Sequence, residues 1–127
     1  MPSRAADWME QAERDLQMAK SSADNGYHEW TCFAAHQAAE KAIKALHLHH
    51  RQEAWGHVLV RLLSDLPVEV PEDFRERARI LDNYYIPTRY PNGHVEGAPA
   101  EHYGPWQSEG AISHASEILG FVRAEMA

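Results

Sequence analysis

The stretch Phe33-Ala34-Ala35-His36-Gln37-Ala38-Ala39-Glu40-Lys41-Ala42-Ile43-Lys44-Ala45-Leu46 carries the fold class. At about 100° per residue around a helix, Ala34, Ala35, Ala38, Ala39, Ala42, Ile43, Ala45 and Leu46 share one broad side. His36, Gln37, Glu40, Lys44 and His47 fall on the other. The apolar side covers roughly half the circumference, wider than the stripe of a surface helix. Its alanines let neighbouring backbones approach closely. This pattern predicts a central helix, from about His28 to Leu48, that touches two or more others. Glu40 precedes Lys44 by one turn, the favourable order for a helical ion pair. Trp30 and Phe33 fall toward the more polar side and predict a second contact surface, either a dimer interface or packing from the last helix.

Helices are also predicted on both sides of this one. Ser3 is a candidate N-cap for a first helix that carries Ala5, Trp8, Met9, Ala12, Leu16 and Ala19 and ends near Ser22, before the turn signal Asp24-Asn25-Gly26. A third helix is expected from Gly56-His57 through Leu66, stopped by Pro67. A fourth opens at Pro71-Glu72-Asp73, with proline in its first turn and acids at the positive end of its dipole. Phe74, Ala78, Leu81 and Tyr85 form its stripe. Arg75, Arg77 and Arg79 are read as a solvated, ion-paired surface, or as containing a phosphate contact. From Ile86 to Pro105 no periodicity survives, and a loop of about 20 residues is often functional in a compact domain. Trp106 to Met126 is a fifth helix, with Ser108 as its expected N-cap and Ile112, Ala115, Leu119, Val122 and Met126 as its core stripe. The expectation is all-α: an up-and-down bundle of about five helices in a single domain spanning 1–127.

Composition narrows the function classes. The net charge of −7 argues against a general electrostatic nucleic-acid binder and leaves a local basic site open. No apolar run approaches the roughly 18 residues of a membrane span. The first residues lack a signal peptide's apolar region, and the single cysteine, Cys32, suits a reducing compartment. A cytoplasmic protein is therefore expected, with Cys32 a small buried residue. His47-Leu48-His49-His50 has no carboxylate or cysteine spaced to complete a metal site. We read it as a solvated helix end, where histidine favours the C-terminal dipole. No metal or cofactor is expected.

Three stretches together resemble the HEPN family (higher eukaryotes and prokaryotes nucleotide-binding domain), in its small prokaryotic stand-alone form. They are His36-Gln37-Ala38-Ala39-Glu40-Lys41-Ala42-Ile43-Lys44-Ala45-Leu46, then Gly56-His57-Val58-Leu59 leading into Leu62-Leu63, then Leu81-Asp82-Asn83-Tyr84-Tyr85-Ile86-Pro87-Thr88-Arg89-Tyr90-Pro91-Asn92. The resemblance implies a five-helix bundle that pairs as a homodimer. It implies a nucleotide- or RNA-binding protein, partnered with a minimal nucleotidyltransferase in a toxin–antitoxin-type pair. As alternatives it implies a metal-independent endoribonuclease toxin with an Arg-x4-6-His motif, or a purely structural interaction domain.

Arg89 and His94 fit the Arg-x4-His spacing, and Arg51 and His57 fit Arg-x5-His. With nine arginines and nine histidines in 127 residues, such matches arise by chance, so the spacing carries little weight. Arg89 and His94 are the catalytic candidates, because Arg89 lies in the most family-like segment, whereas His57 reads as the start of the third helix. In cleavage by the 2′-hydroxyl, a histidine can move the proton and an arginine can hold the phosphate. Tyr90 directly after Arg89, and the turn-forming Pro91 and Gly93, depart from the family's RNase pattern. Arg79, Arg89 and Tyr90 are the candidate nucleotide- or phosphate-binding residues. For Arg89 a structural role, pairing with Asp82 or a helix end, stays open. Tyr85 is read as core, with base stacking as its alternative.

Overall fold

A computed structural model describes residues 3–127. In chain order it comprises α1 (Ala5–Asp24), α2 (His28–His49), α3 (Leu59–Ser64), α4 (Glu72–Asp82) and α5 (Pro105–Met126). Two single 3₁₀ turns, Pro91–Gly93 and Pro99–Glu101, lie between α4 and α5. Among the described residues there is no strand, so the all-helical expectation holds. No helix is long and apolar enough to cross a membrane.

The Ala-rich side of α2 does what its composition predicts. Ala35, Ala38, Ala39, Ala42, Ile43 and Leu46 are buried between Ala12, Leu16 and Ala19 of α1 and Ala111, Ala115, Ile118, Leu119 and Val122 of α5. The most extensive contacts of the fold are α1 with α2 and α2 with α5. Cys32 is buried in this core, and burial, with Glu29 nearby, pushes its thiol up to about 12. It is thus no thiolate nucleophile.

The other side of α2 departs from expectation. His36, Glu40 and His47 are buried rather than solvated, because α3 and α4 pack over that face. His47, read from sequence as a solvated helix end, lies within hydrogen-bond distance of the Leu62 carbonyl (2.8 Å, Nε2) and Gln52 Oε1 (3.1 Å, Nδ1). The helix therefore touches neighbours all round.

Several boundaries also move. Helix α3 starts at Leu59, not at Gly56-His57, and its first amides are capped from a distance: Leu59 and Val60 N–H donate to the Asp82 carboxylate at 2.7 and 3.1 Å. Helix α4 ends at Asp82, which leaves Tyr85 beyond its stripe. Ser108 is not the N-cap of α5. Pro105, which lacks an N–H to satisfy, starts the helix, and Gly104 N–H donates to Gln107 Oε1 at 2.9 Å. Ser108 is buried one turn further in, its hydroxyl 2.7 Å from His28 Nδ1. At the N-terminus, Arg4 rather than the expected Ser3 is the N-cap of α1, without a side-chain cap, and the Ser3 hydroxyl accepts from Ala5 N–H at 3.0 Å just outside it.

The stretch between α4 and α5 is held by side chain to main chain contacts. Thr88 Oγ1 donates to the Tyr84 carbonyl (2.6 Å), His94 Nε2 lies 2.7 Å from the Pro87 carbonyl, and His102 Nε2 lies 2.6 Å from the Glu96 carbonyl.

Candidate phosphate-binding site

One polar cluster lies where α2, the connection before α3 and the segment after α4 meet. At its base is His36, with a fully buried side chain. Its Nε2 lies 2.9 Å from the His57 carbonyl and 3.4 Å from Asp82 Oδ1, and Gln37 Nε2 lies 3.2 Å from its Nδ1. These partners assign the Nε2–H tautomer, which donates to a carbonyl and accepts from an amide. One turn on, the Glu40 side chain is 7% exposed and lies 3.0 Å from His57 Nδ1 and 3.2 Å from Lys44 Nζ. The Glu40–Lys44 pair expected from spacing is therefore present, but it is partly buried and shared with a histidine.

Above these groups the aromatic rings form a layer. His57 stacks on Tyr85 with centroids 4.7 Å apart and planes 18° apart. Tyr85 also contacts His36 (5.1 Å) and Phe33 (6.1 Å). The Arg89 guanidinium carbon lies 4.4 Å from the Phe33 centroid, 4.7 Å from Tyr85 and 5.2 Å from Tyr90. Its Nε donates to the Tyr85 carbonyl at 2.9 Å. Among the described residues no carboxylate pairs with it. Asp82, the partner considered from sequence, is instead engaged by the α3 amides and His36. A guanidinium backed by rings and free of a counter-charge keeps its terminal N–H groups for an external anion.

The other sequence candidates lie apart from this set. His94 is half-buried in the loop, stacked on His102 (4.1 Å, 1° between planes) and edge-on to Tyr103 (5.8 Å). Arg79 is exposed on α4 and pairs with Glu76. Arg75 donates to Ser64 Oγ at 2.7 Å, and Arg77 reaches His114 Nδ1 at 3.1 Å. Arg51 is exposed at the end of α2 with φ +63° and has no polar contact with His57 among the described residues.

Sequence reasoning missed His36, Glu40 and His57 as site residues. The usable signal was the one-turn spacing of His36 and Glu40 on the polar side of a helix too apolar elsewhere to be a surface helix. Trp30 and Phe33 divide. Phe33 joins the site, while Trp30 is exposed and lines a neighbouring groove of about 390 Å³ with Met18, Phe33 and Lys41. Among the described residues no group of three or more His, Cys, Asp or Glu side chains is placed to hold a metal ion.

Among curated proteins nothing matches the chain. The crystal structure of TT1696 from Thermus thermophilus superposes with a TM-score of 0.96 at 51% identity, covering 98% of this chain and 99% of that one. ST0689, an archaeal HEPN homologue, superposes with a TM-score of 0.86 at 38% identity over 100% of both chains. A HEPN domain protein from Thermotoga maritima gives a TM-score of 0.77 at 30% identity, covering 93% of this chain and 95% of that one. The HEPN domain description itself matches residues 5–125, which leaves only the chain ends outside it. On that match and those full-length likenesses, the chain belongs to the HEPN domain family.

Proposed function

We propose that this HEPN protein binds a nucleotide or single-stranded RNA through a phosphate held by Arg89. The observation that carries the reading is the ring-backed Arg89 guanidinium without a carboxylate partner among the described residues. In an otherwise acidic protein such a cation is the natural place for one phosphate. Tyr90, exposed beside it, offers a face for a base. Arg79, exposed on α4 but paired with Glu76, is a peripheral phosphate contact only if it exchanges that carboxylate for the phosphate. The protein acts as a homodimer in the cytoplasm, with a minimal nucleotidyltransferase as its partner in a toxin–antitoxin-type pair. The family resemblance supports these last assignments, and co-purification of the two proteins tests the pairing.

Titration of a labelled RNA oligonucleotide at low salt tests the binding. Arg89→Ala is expected to weaken it by about 10- to 100-fold, the loss of a charge-assisted contact of about 1.5–3 kcal/mol. Unchanged affinity in that variant rejects the site.

A second reading makes the protein a metal-independent endoribonuclease toxin in which Arg89 and His94 act together. It draws on their shared place in the segment after α4. Loss of cleavage and of toxicity in His94→Ala supports it, and retention of both removes it.

A further inference from the structure

We propose that the groove lined by Trp30 and Phe33 is a base subsite, selective for adenine through Gln37, for the nucleotide whose phosphate Arg89 holds. The proposal rests on the phosphate-binding reading above and names the base that the site takes.

The groove adjoins the cation through one ring. Phe33 lines the groove of about 390 Å³, and the Arg89 guanidinium carbon lies 4.4 Å from the Phe33 centroid. A ligand with its phosphate on Arg89 has this groove as its neighbour. The volume is within the range of small-molecule pockets. The two charged lining residues, Asp15 and Lys41, pair with each other, so the groove suits a neutral group rather than a second phosphate. Its aromatic wall is Trp30, 48% exposed and edge-on to Phe33 (6.2 Å, 84° between planes). An exposed indole face is a stacking platform for a base.

The selective group is the Gln37 side-chain amide, which lines the same groove. Its orientation follows from the buried His36. That ring donates from Nε2 to the His57 carbonyl (2.9 Å), so its Nδ1 accepts, and Gln37 Nε2 donates to it at 3.2 Å. The nitrogen and the oxygen of the amide are thereby distinguished. One N–H and the Oε1 acceptor of Gln37 have no partner among the described residues. A donor beside an acceptor matches adenine on either edge, N6 with N7 or N6 with N1. Guanine presents two acceptors on its N7 edge, and the pyrimidines have a single matching edge and less surface to stack.

The test titrates the full chain, at low salt, with labelled uridine hexamers in which one uridine is kept or replaced by adenosine, guanosine or cytidine. Wild type is expected to bind the adenosine hexamer about tenfold more tightly than the all-uridine one. Gln37→Leu should bind all four within about twofold of one another. Gln37→Glu, with two acceptors in place of a donor and an acceptor, should prefer guanosine, whose N1 and N2 groups both donate. Trp30→Ala should weaken all four by about tenfold, and Trp30→Phe should restore most of that loss. Arg89→Ala should weaken all four and keep their order. Melting curves accompany each variant, and Gln37→Met replaces Gln37→Leu if the latter unfolds. Equal binding of the four by wild type, or an adenosine preference that survives in Gln37→Leu, overturns the base subsite and leaves the Arg89 reading standing. A Trp30→Ala variant that binds RNA as wild type does but no longer self-associates assigns the groove to a second copy of the chain, and also overturns the subsite. Absence of RNA binding by wild type overturns both.

Discussion

In the proposed site Arg89 works through planarity as much as through charge. Its flat guanidinium lies against Phe33 and Tyr85 while Nε is anchored on the Tyr85 carbonyl. An ammonium group cannot reproduce this combination. Arg89→Lys is therefore expected to bind RNA about tenfold more weakly than wild type although charge is conserved. Fluorescence anisotropy measures this, and equal affinity would mean that charge alone matters. His114 poses the opposite case. Partial burial, and then Arg77 beside it, pull its pKa below the ordinary 6.5. The folded state thus disfavours the imidazolium more than the unfolded chain does. Stability from this group is present above about pH 6.5 and is lost as pH falls through the lowered value. Melting temperatures of wild type and His114→Gln, compared between pH 7.5 and 5, should converge as the pH falls. Parallel curves would show that His114 does not contribute.

Among the elements, α2 is the one whose ends and faces differ most in role. His47 and His49 are two residues apart, yet His47 is 2% exposed and bridges to the Leu62 carbonyl, whereas His49 is solvated. Removing His47 opens a cavity and leaves a buried carbonyl without its donor. His47→Ala should destabilise by about 2–3 kcal/mol, and His49→Ala by less than about 0.5 kcal/mol, in denaturant titrations. Equal effects would place both histidines at the surface. Nothing in the spacing of His47-Leu48-His49-His50 distinguishes these fates, since the carbonyl that captures His47 belongs to α3. The α3 cap is non-local in the same way. Asp82 lies 23 residues from Leu59 in sequence and is brought to it only by folding.

Taken whole, the molecule is acidic, and the proposed site sets one ring-backed guanidinium against that background. A net charge of −7 leaves no field to draw in a polyanion. Binding through Arg89, with at most one further contact, releases few counterions. The slope of log affinity against log salt is then expected to be shallow, between about −0.7 and −1.4 for single strands. A much steeper slope would reveal an extended basic surface and sink the single-site reading. The central Ala-rich helix and its flanking helices were legible from the chain, because helical periodicity and small side chains are local properties, and the family was legible from the resemblance of three motif stretches. Arg89 and Tyr90 were legible as candidates because they stand in a distinctive segment. His36, Glu40 and His57 were not. Their significance comes from pairings 17 and 21 residues apart, across elements that periodicity cannot orient.

Local sequence was enough to specify an all-helical domain with α2 at its centre, a buried Cys32 and a candidate functional segment after α4. The first two follow from neighbours within a turn or two of the chain, and the third from the segment's resemblance to the family. Tertiary packing was needed to settle which polar groups of α2 are buried, that Asp82 serves α3 rather than Arg89, and that Arg89 faces rings instead of a carboxylate. Those outcomes depend on which elements meet in space. Burial turned the polar side of α2, read as a second contact surface, into the seat of a carboxylate–histidine pair.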